Sequence, residues 1–271
     1  MNETTATGPN GTALPAPERK GTYVLVPGFW LGGWAWEKVA AHLRAAGHDV
    51  HPVTLTGLGD RAHLATPETD LETHIQDIVD TIVQAGLHDV ILVAHSGAGA
   101  PVTGAADRVA GRIARVVYVD SGPLADGMTQ LDMNEPGWNA FVERRVAEQG
   151  GGTAYPLISW EEQEKAGASL EGLGEAERAL FAARATPQPY RTMTQPLRLT
   201  GAADRLPKTL VACSFPLEQV HAMIAAGHPF FAALAGPEWS FAELPTGHWP
   251  MFSKPAETAE VLAALVSPVS G

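Results

Sequence analysis

Asp89-Val-Ile-Leu-Val-Ala-His95-Ser96-Gly97-Ala98-Gly99 passes from an apolar, β-branched run directly into small residues. Asp89 to Ala94 reads as a short buried strand, and Gly97 to Val109 as a helix. Pro101 falls near the end of the helix's first turn, where its missing N–H costs little. A serine between such a strand and such a helix sits on a sharp, strained turn with its hydroxyl exposed. Small residues must stand two before and two after it, because backbone segments crowd there. Ala94 and Ala98 meet that need, each in place of the usual glycine. The start of the following helix offers free N–H groups and a positive dipole end, which favour an oxyanion. A dinucleotide-binding loop is the competing reading, because Gly97-Ala-Gly99 also follows a strand. Its third glycine would fall at Val102, and that fingerprint belongs after the first strand of a fold rather than the third or fourth. An ordinary small-residue turn is the plainer alternative. The nucleophile turn is the reading preferred.

Outward from this turn, strands and helices alternate. Thr22-Tyr-Val-Leu-Val26 reads as a buried strand closed by Pro27-Gly28. Trp34 to Ala46 reads as a helix, and Val50 to Leu55 as a strand. Leu71, Ile75, Ile78, Val79, Ile82 and Val83 form a helical stripe, with Thr69 and Glu72 at capping-box spacing before it. Arg115 to Val119 is a further strand. Such alternation predicts an α/β fold with a mostly parallel central sheet and helices on both faces. From Gly122 to about Gly201 the rhythm breaks into short helical stretches interrupted by glycines, and Trp138, Trp160, Phe181 and Tyr190 fall here. Residues 123–202 are therefore expected to form a helical cap inserted into a core of residues 21–122 and 203–271. Lys208 to Cys213 and Trp239 to Leu244 resume as strands, and Pro255 suits the first position of a last helix to about Val266. Residues 1–20, rich in Pro, Gly, Thr and Asn, are expected to be a disordered lead.

Composition bounds the chemistry. The 271 residues are 45% hydrophobic, enough for a sizeable core. Asp plus Glu number 30 against 18 Lys plus Arg, a formal charge of −12 that argues against a nucleic-acid partner. A single cysteine, Cys213, excludes an internal disulfide and a Cys-rich zinc site. No apolar run reaches the roughly 18 residues a membrane span needs. The first twenty residues lack the basic start and apolar stretch of a signal peptide, so a cytoplasmic protein is expected.

Two further segments suit acyl transfer through Ser96. Val26-Pro27-Gly28-Phe29-Trp30-Leu31-Gly32-Gly33-Trp34 follows the first strand, where a second backbone N–H donor is needed. Phe29 is placed to give it and Gly97 to give the first. Leu244-Pro-Thr-Gly-His248-Trp-Pro-Met places a histidine just past the last strand, where strand ends converge. Of the other histidines, His42, His48, His51, His63, His74 and His88 are expected to be solvated, His95 to be structural, and His221 and His228 to be the only rivals of His248. No HExxH or similar ligand spacing appears, so no metal is expected.

These segments together resemble the α/β-hydrolases over about residues 21–122 and 203–267. Gly32-Gly33-Trp34-Ala-Trp36, with Ala46-Gly47-His48 after its helix, resembles the plant methyl esterase and hydroxynitrile lyase branch. Thr54-Leu-Thr-Gly-Leu-Gly-Asp-Arg-Ala-His63-Leu resembles bacterial esterases of that branch, including pyrethroid hydrolases. The resemblance implies a serine hydrolase with a helical cap and no cofactor, acting on a small-molecule ester. The sequence departs from the family at the acid. The usual position, just after the strand Thr209 to Cys213, holds Ser214-Phe-Pro-Leu217 and no carboxylate. Glu218 comes about two residues late. Some α/β-hydrolases take the acid from the end of the strand after the nucleophile helix, and Asp120 stands there. Asp120 as acid, Glu218 as acid, and Asp120 as a mere turn residue remain open. Lyases of the branch carry Thr at the position of Gly28 and Lys at that of Trp249, so both residues favour an esterase. A non-hydrolytic biosynthetic enzyme and a hydrolase-derived binding protein are the alternatives. The substrate pocket is expected between the cap and the sheet edge, lined by Trp30, Trp138 and Trp249 and suited to apolar esters.

Overall fold

The computed structural model describes residues 20–134, 136–228 and 231–266, so the expected disordered lead lies outside the described residues except for Lys20. The chain runs β1 (Thr22–Val26), α1 (Glu37–Ala45), β2 (Asp49–Pro52), α2 (Leu71–Gln84), β3 (Val90–His95), α3 (Gly99–Arg108) and β4 (Ile113–Val119). Then come α4 (Pro136–Gln149), β5 (Ala154–Tyr155), α5 (Trp160–Lys165), α6 (Glu175–Arg184), β6 (Gln188–Pro189) and α7 (Arg191–Thr194). The chain closes with β7 (Lys208–Ala212), α8 (Leu217–Ala225), β8 (Trp239–Glu243), α9 (Pro250–Ser253) and α10 (Pro255–Ala264).

Among the described residues the central sheet has six strands in the order β2-β1-β3-β4-β7-β8. Every pairing in it is parallel, as in a sheet covered on both faces. Alternate residues of β1 enter different cores: Tyr23 and Leu25 join one cluster, Val24 and Val26 the other. That period of two is the reason the strand reads as a continuous apolar run. Ile75 and Ile78 of α2 are buried on the second face, each stabilising the fold by about 1.5–3 kcal/mol. The chain passes from β1 outward to β2 and then returns to β3 on the other side of β1. The crevice beyond the carboxyl ends of β1 and β3 is thus the switch point at which such sheets bind ligands.

Local differences from the sequence reading have simple causes. The second strand stops at Pro52, whose ring cannot donate to a ladder. The first helix begins with a 3-10 turn at Gly33–Trp36. The cap of α2 is Asp70, which accepts from the Thr73 N–H at 3.0 Å, rather than Thr69, whose hydroxyl accepts from the Thr66 N–H. His74 is buried rather than solvated, its Nε2 2.8 Å from the Thr56 carbonyl. Between β4 and β7, residues 123–202 hold four helices and the antiparallel pair β5–β6 among the described residues, so this segment is not purely helical.

Candidate active site

β3 delivers Ser96 in the left-handed region, at φ 50°, and a 3-10 turn over Ser96–Ala98 leads into α3. A non-glycine residue held there costs of order 1–3 kcal/mol and persists only where its surroundings fix it. They do so closely. The Phe29 ring covers the Gly97 Cα, so a Cβ at Gly97 would lie 2.5 Å from it. A Cβ at Gly28 would lie 2.8 Å from the Ser96 Cβ. The Ser121 hydroxyl donates to the Ser96 carbonyl at 2.6 Å. Phe29 and Gly97 therefore stand together at the turn that carries Ser96.

β4 lies between β3 and β7, so the residues just past these three strands become neighbours. Asp120 follows β4, with φ 45°, and Ser96 follows β3. His248, in the loop after β8, places Nε2 2.7 Å from Ser96 Oγ and Nδ1 2.6 Å from Asp120 Oδ2. An ionised carboxylate only accepts, so Nδ1 carries the proton and Nε2 is left to accept from the serine hydroxyl. Asp120 Oδ1 accepts from the N–H groups of Cys213 and Ser214 at 3.1 and 2.9 Å, and Oδ2 accepts from the Ser214 hydroxyl at 2.6 Å. Burial opposes ionisation of this carboxyl. The bonds and charge of His248 and the bonds of Ser214 outweigh burial and hold Asp120 below the usual carboxylate range. Glu218, the other acid considered, is exposed on the first turn of α8. Of the rival histidines, His221 packs edge-on to the Phe241 ring.

His95 lies behind the serine, fully buried, with Nε2 2.7 Å from the His248 carbonyl. Burial, reinforced by the positive charge that His248 can carry, pushes His95 far below the ordinary imidazole range and keeps it neutral. Burial, and then the Asp120 charge, push the Cys213 thiol up, so it stays protonated.

The inserted segment grips both loops at this edge. Trp30, at φ 65°, donates its indole N–H to the Tyr155 carbonyl at 3.0 Å, and its own carbonyl accepts from the Thr186 N–H at 2.9 Å. The His248 N–H donates to the Ser169 carbonyl at 2.8 Å, and the Gly247 N–H to that of Glu171 at 3.1 Å. A cavity of about 470 Å³ opens onto Ser96 and His248, with Trp30, Trp138 and Trp249 in its wall. Trp160 and Phe181 instead pack against each other and against Trp249, at ring separations of 5.1, 5.9 and 5.7 Å. Ser214 joins the site although its sequence marks no chemistry of its own. Its signal was positional, since it occupies the place where the usual acid is missing. Among the described residues no group of three or more His, Cys, Asp or Glu side chains is gathered to hold a metal. Nor is any described helix long and apolar enough to cross a membrane.

Comparison with known proteins agrees with this architecture. Residues 23–261 match the model of the alpha/beta hydrolase family. The chain is 34% identical over 250 residues to a carbendazim hydrolyzing esterase of Nocardioides sp. (strain SG-4G), covering 90% of this chain and 98% of that one. It is 36% identical over 99 residues to methylesterase 7 of Arabidopsis thaliana, covering 36% of this chain and 38% of the relative. An extracellular alpha/beta-hydrolase from a Paenibacillus species has a similar structure, with TM-score 0.76 and 23% identity over 90% of this chain and 98% of that one. The chain belongs to the alpha/beta hydrolase family, and within it to the carboxylic-ester hydrolases.

Proposed function

We propose that this enzyme is a serine esterase that cleaves small, uncharged, largely apolar carboxylic esters through an acyl-enzyme at Ser96. The observation that carries the reading is the unbroken chain of hydrogen bonds from Ser96 Oγ through His248 to Asp120. Ser96 Oγ attacks the ester carbonyl as its proton passes to His248 Nε2, and the Nδ1–H bond to Asp120 stabilises the imidazolium. The carbonyl oxygen, now an oxyanion, is held by the backbone N–H groups of Phe29 and Gly97. Collapse breaks the C–O bond, and the leaving alkoxide takes the proton from Nε2. Water then repeats the sequence with His248 as its base, releasing the acid and restoring Ser96. Asp120 is the acid of this triad, with Ser214 in the place where the family usually has a carboxylate.

The substrate preference rests on the cavity. Leu124, Leu210 and Leu234 in its wall belong to one core cluster, while Trp30, Val142 and Tyr155 belong to the other. These apolar walls favour esters with apolar bulk, and among the described residues no Lys or Arg lines the cavity to neutralise an anionic substrate. Residues 123–202 act as a cap that closes over the sheet edge and supplies part of this wall.

The test is labelling with a p-nitrophenyl alkylphosphonate, read by mass spectrometry, beside turnover of p-nitrophenyl acetate and butyrate. The label is expected on Ser96. Ser96→Ala is expected to lose label and several orders of magnitude of turnover while keeping its fold. Unchanged turnover in that variant would overturn the reading.

A further inference from the structure

Four hydrogen bonds converge on the Asp120 carboxylate, and only one comes from His248. The Ser214 hydroxyl and His248 Nδ1 share one oxygen, Oδ2, each at 2.6 Å. The backbone N–H groups of Cys213 and Ser214 occupy the other. A carboxylate offers about four acceptor sites, so the set is complete. The two N–H groups come from the end of β7 and survive any substitution at Ser214 other than proline. The hydroxyl is the one removable donor besides the histidine.

We propose that Ser214 is a positioning residue that tunes the base: its hydroxyl draws charge from Asp120 Oδ2 and fixes that oxygen on His248 Nδ1. This rests on the triad reading above. A carboxylate that gives part of its charge to a neutral donor supports the imidazolium less strongly. Removing the hydroxyl would return that charge to Oδ2 and strengthen the pull of Asp120 on the Nδ1 proton.

Other charges at the site do not compete for this role. The titratable groups that face Asp120 are His248 from the loop after β8, His95 from the end of β3, and Cys213 from the end of β7. His95 is held neutral by burial and the Cys213 thiol stays protonated, so neither changes charge across the working range.

The experiment is the pH profile of kcat/KM on p-nitrophenyl butyrate for the native enzyme, Ser214→Ala, Ser214→Gly, Ser214→Thr and Asp120→Asn, with folding checked by thermal melting. Loss of the hydroxyl is expected to move the acid limb upward by about half a unit to one unit. The same change should appear in Ala and Gly with KM little altered, and Thr should return the limb to its native position. A lower plateau with an unmoved acid limb, in whichever of Ala or Gly is folded, makes the hydroxyl merely structural and overturns the inference. Near-native turnover in Asp120→Asn overturns the triad reading instead, so the two failures are distinguishable.

Discussion

His95 Nε2 donates to the backbone oxygen of His248 at 2.7 Å, so the residue before Ser96 holds the loop that carries His248. A carbonyl only accepts, which fixes the His95 proton on Nε2. The His95 and His248 rings are 5.0 Å apart, close enough for any charge on one to oppose charge on the other. Being neutral, His95 ties the loop without opposing the imidazolium that the proposed mechanism requires of His248.

His95→Leu removes that donor and leaves a partly buried carbonyl unpaired, a penalty of about 1–3 kcal/mol. If the penalty is relieved by movement of the His248 loop, kcat should fall about tenfold to a hundredfold with KM little changed. His95→Gln can still donate from its side-chain amide and should recover most of the loss. Steady-state kinetics on one ester, with melting curves for all three proteins, checks this. Equal kcat in Leu and native enzyme would sink it.

Gly28→Thr tests the packing against the serine. Its Cβ would stand 2.8 Å from Ser96 Cβ and 3.1 Å from the His95 carbonyl, so backbone must shift. Overpacking of this kind costs about 1–3 kcal/mol. The expected outcome is a lower melting temperature together with at least about a tenfold loss of esterase turnover, since 1.4 kcal/mol is a factor of ten. No gain of hydroxynitrile cleavage is expected, because Trp249 remains where lyases of the branch carry lysine. A variant as stable and active as the native enzyme would show that the loop yields freely.

What the sequence disclosed follows from the range of the interactions involved. Buried strands such as Val90–His95 carry their signal in a run of neighbours, and the turn at Ser96 directly follows one. The meeting of Ser96, Asp120 and His248 could be anticipated because parallel strands end at one edge. Ser214 was harder to see, since its role depends on β4 and β7 being adjacent, a pairing between residues about ninety apart in the chain. His74 looked solvated because its partner, the Thr56 carbonyl, is a backbone atom in a preceding loop. Trp160 and Trp138 are both aromatics in an irregular segment, and the sequence assigns only Trp138 to the pocket. Only packing sends one to the interior of the cluster around Trp249 and the other to the cavity wall.

Asp107 should govern part of the acid stability. It is almost fully buried on α3 and accepts from the Thr200 N–H and hydroxyl at 2.7 and 2.9 Å, tying down the segment that leads to β7. Burial alone would raise its carboxyl, but the bonds from Thr200, Ala203 and Ala202 prevail and hold it below the usual range. A depressed carboxyl stabilises the fold at pH above its unfolded value, about 3.9, and loses that contribution as pH falls through the folded value. Asp107→Asn should therefore cost about 1–3 kcal/mol at pH 7. The gap between it and the native protein should narrow at acid pH. Urea melts at pH 7 and at steps down to about pH 3 measure both. A gap that widens on acidification would contradict the assignment.

The cavity makes the most direct statement about substrate. Trp138 is stacked on Phe141 at 4.5 Å, and the Arg145 guanidinium lies 5.2 Å from the Phe141 ring, so the indole is braced from behind while it lines the cavity. Such a ring offers a fixed apolar face, and an aromatic contact adds about 0.5–1.5 kcal/mol beyond area burial. Trp138→Ala should lower kcat/KM for an aryl-acyl ester about tenfold and leave the acetyl ester nearly unchanged, because an acetyl group is too short to use the wall. An anionic ester such as a hemisuccinate should be a poor substrate for the native enzyme. Its charge would lose water without gaining a Lys or Arg partner among the described residues, and the Asp120 carboxylate in the cavity wall repels it. Paired kinetics on neutral and anionic esters of equal size checks both expectations. If the anionic ester is the better substrate, or if the Trp138 variant loses acetyl and aryl turnover alike, the apolar-ester assignment fails.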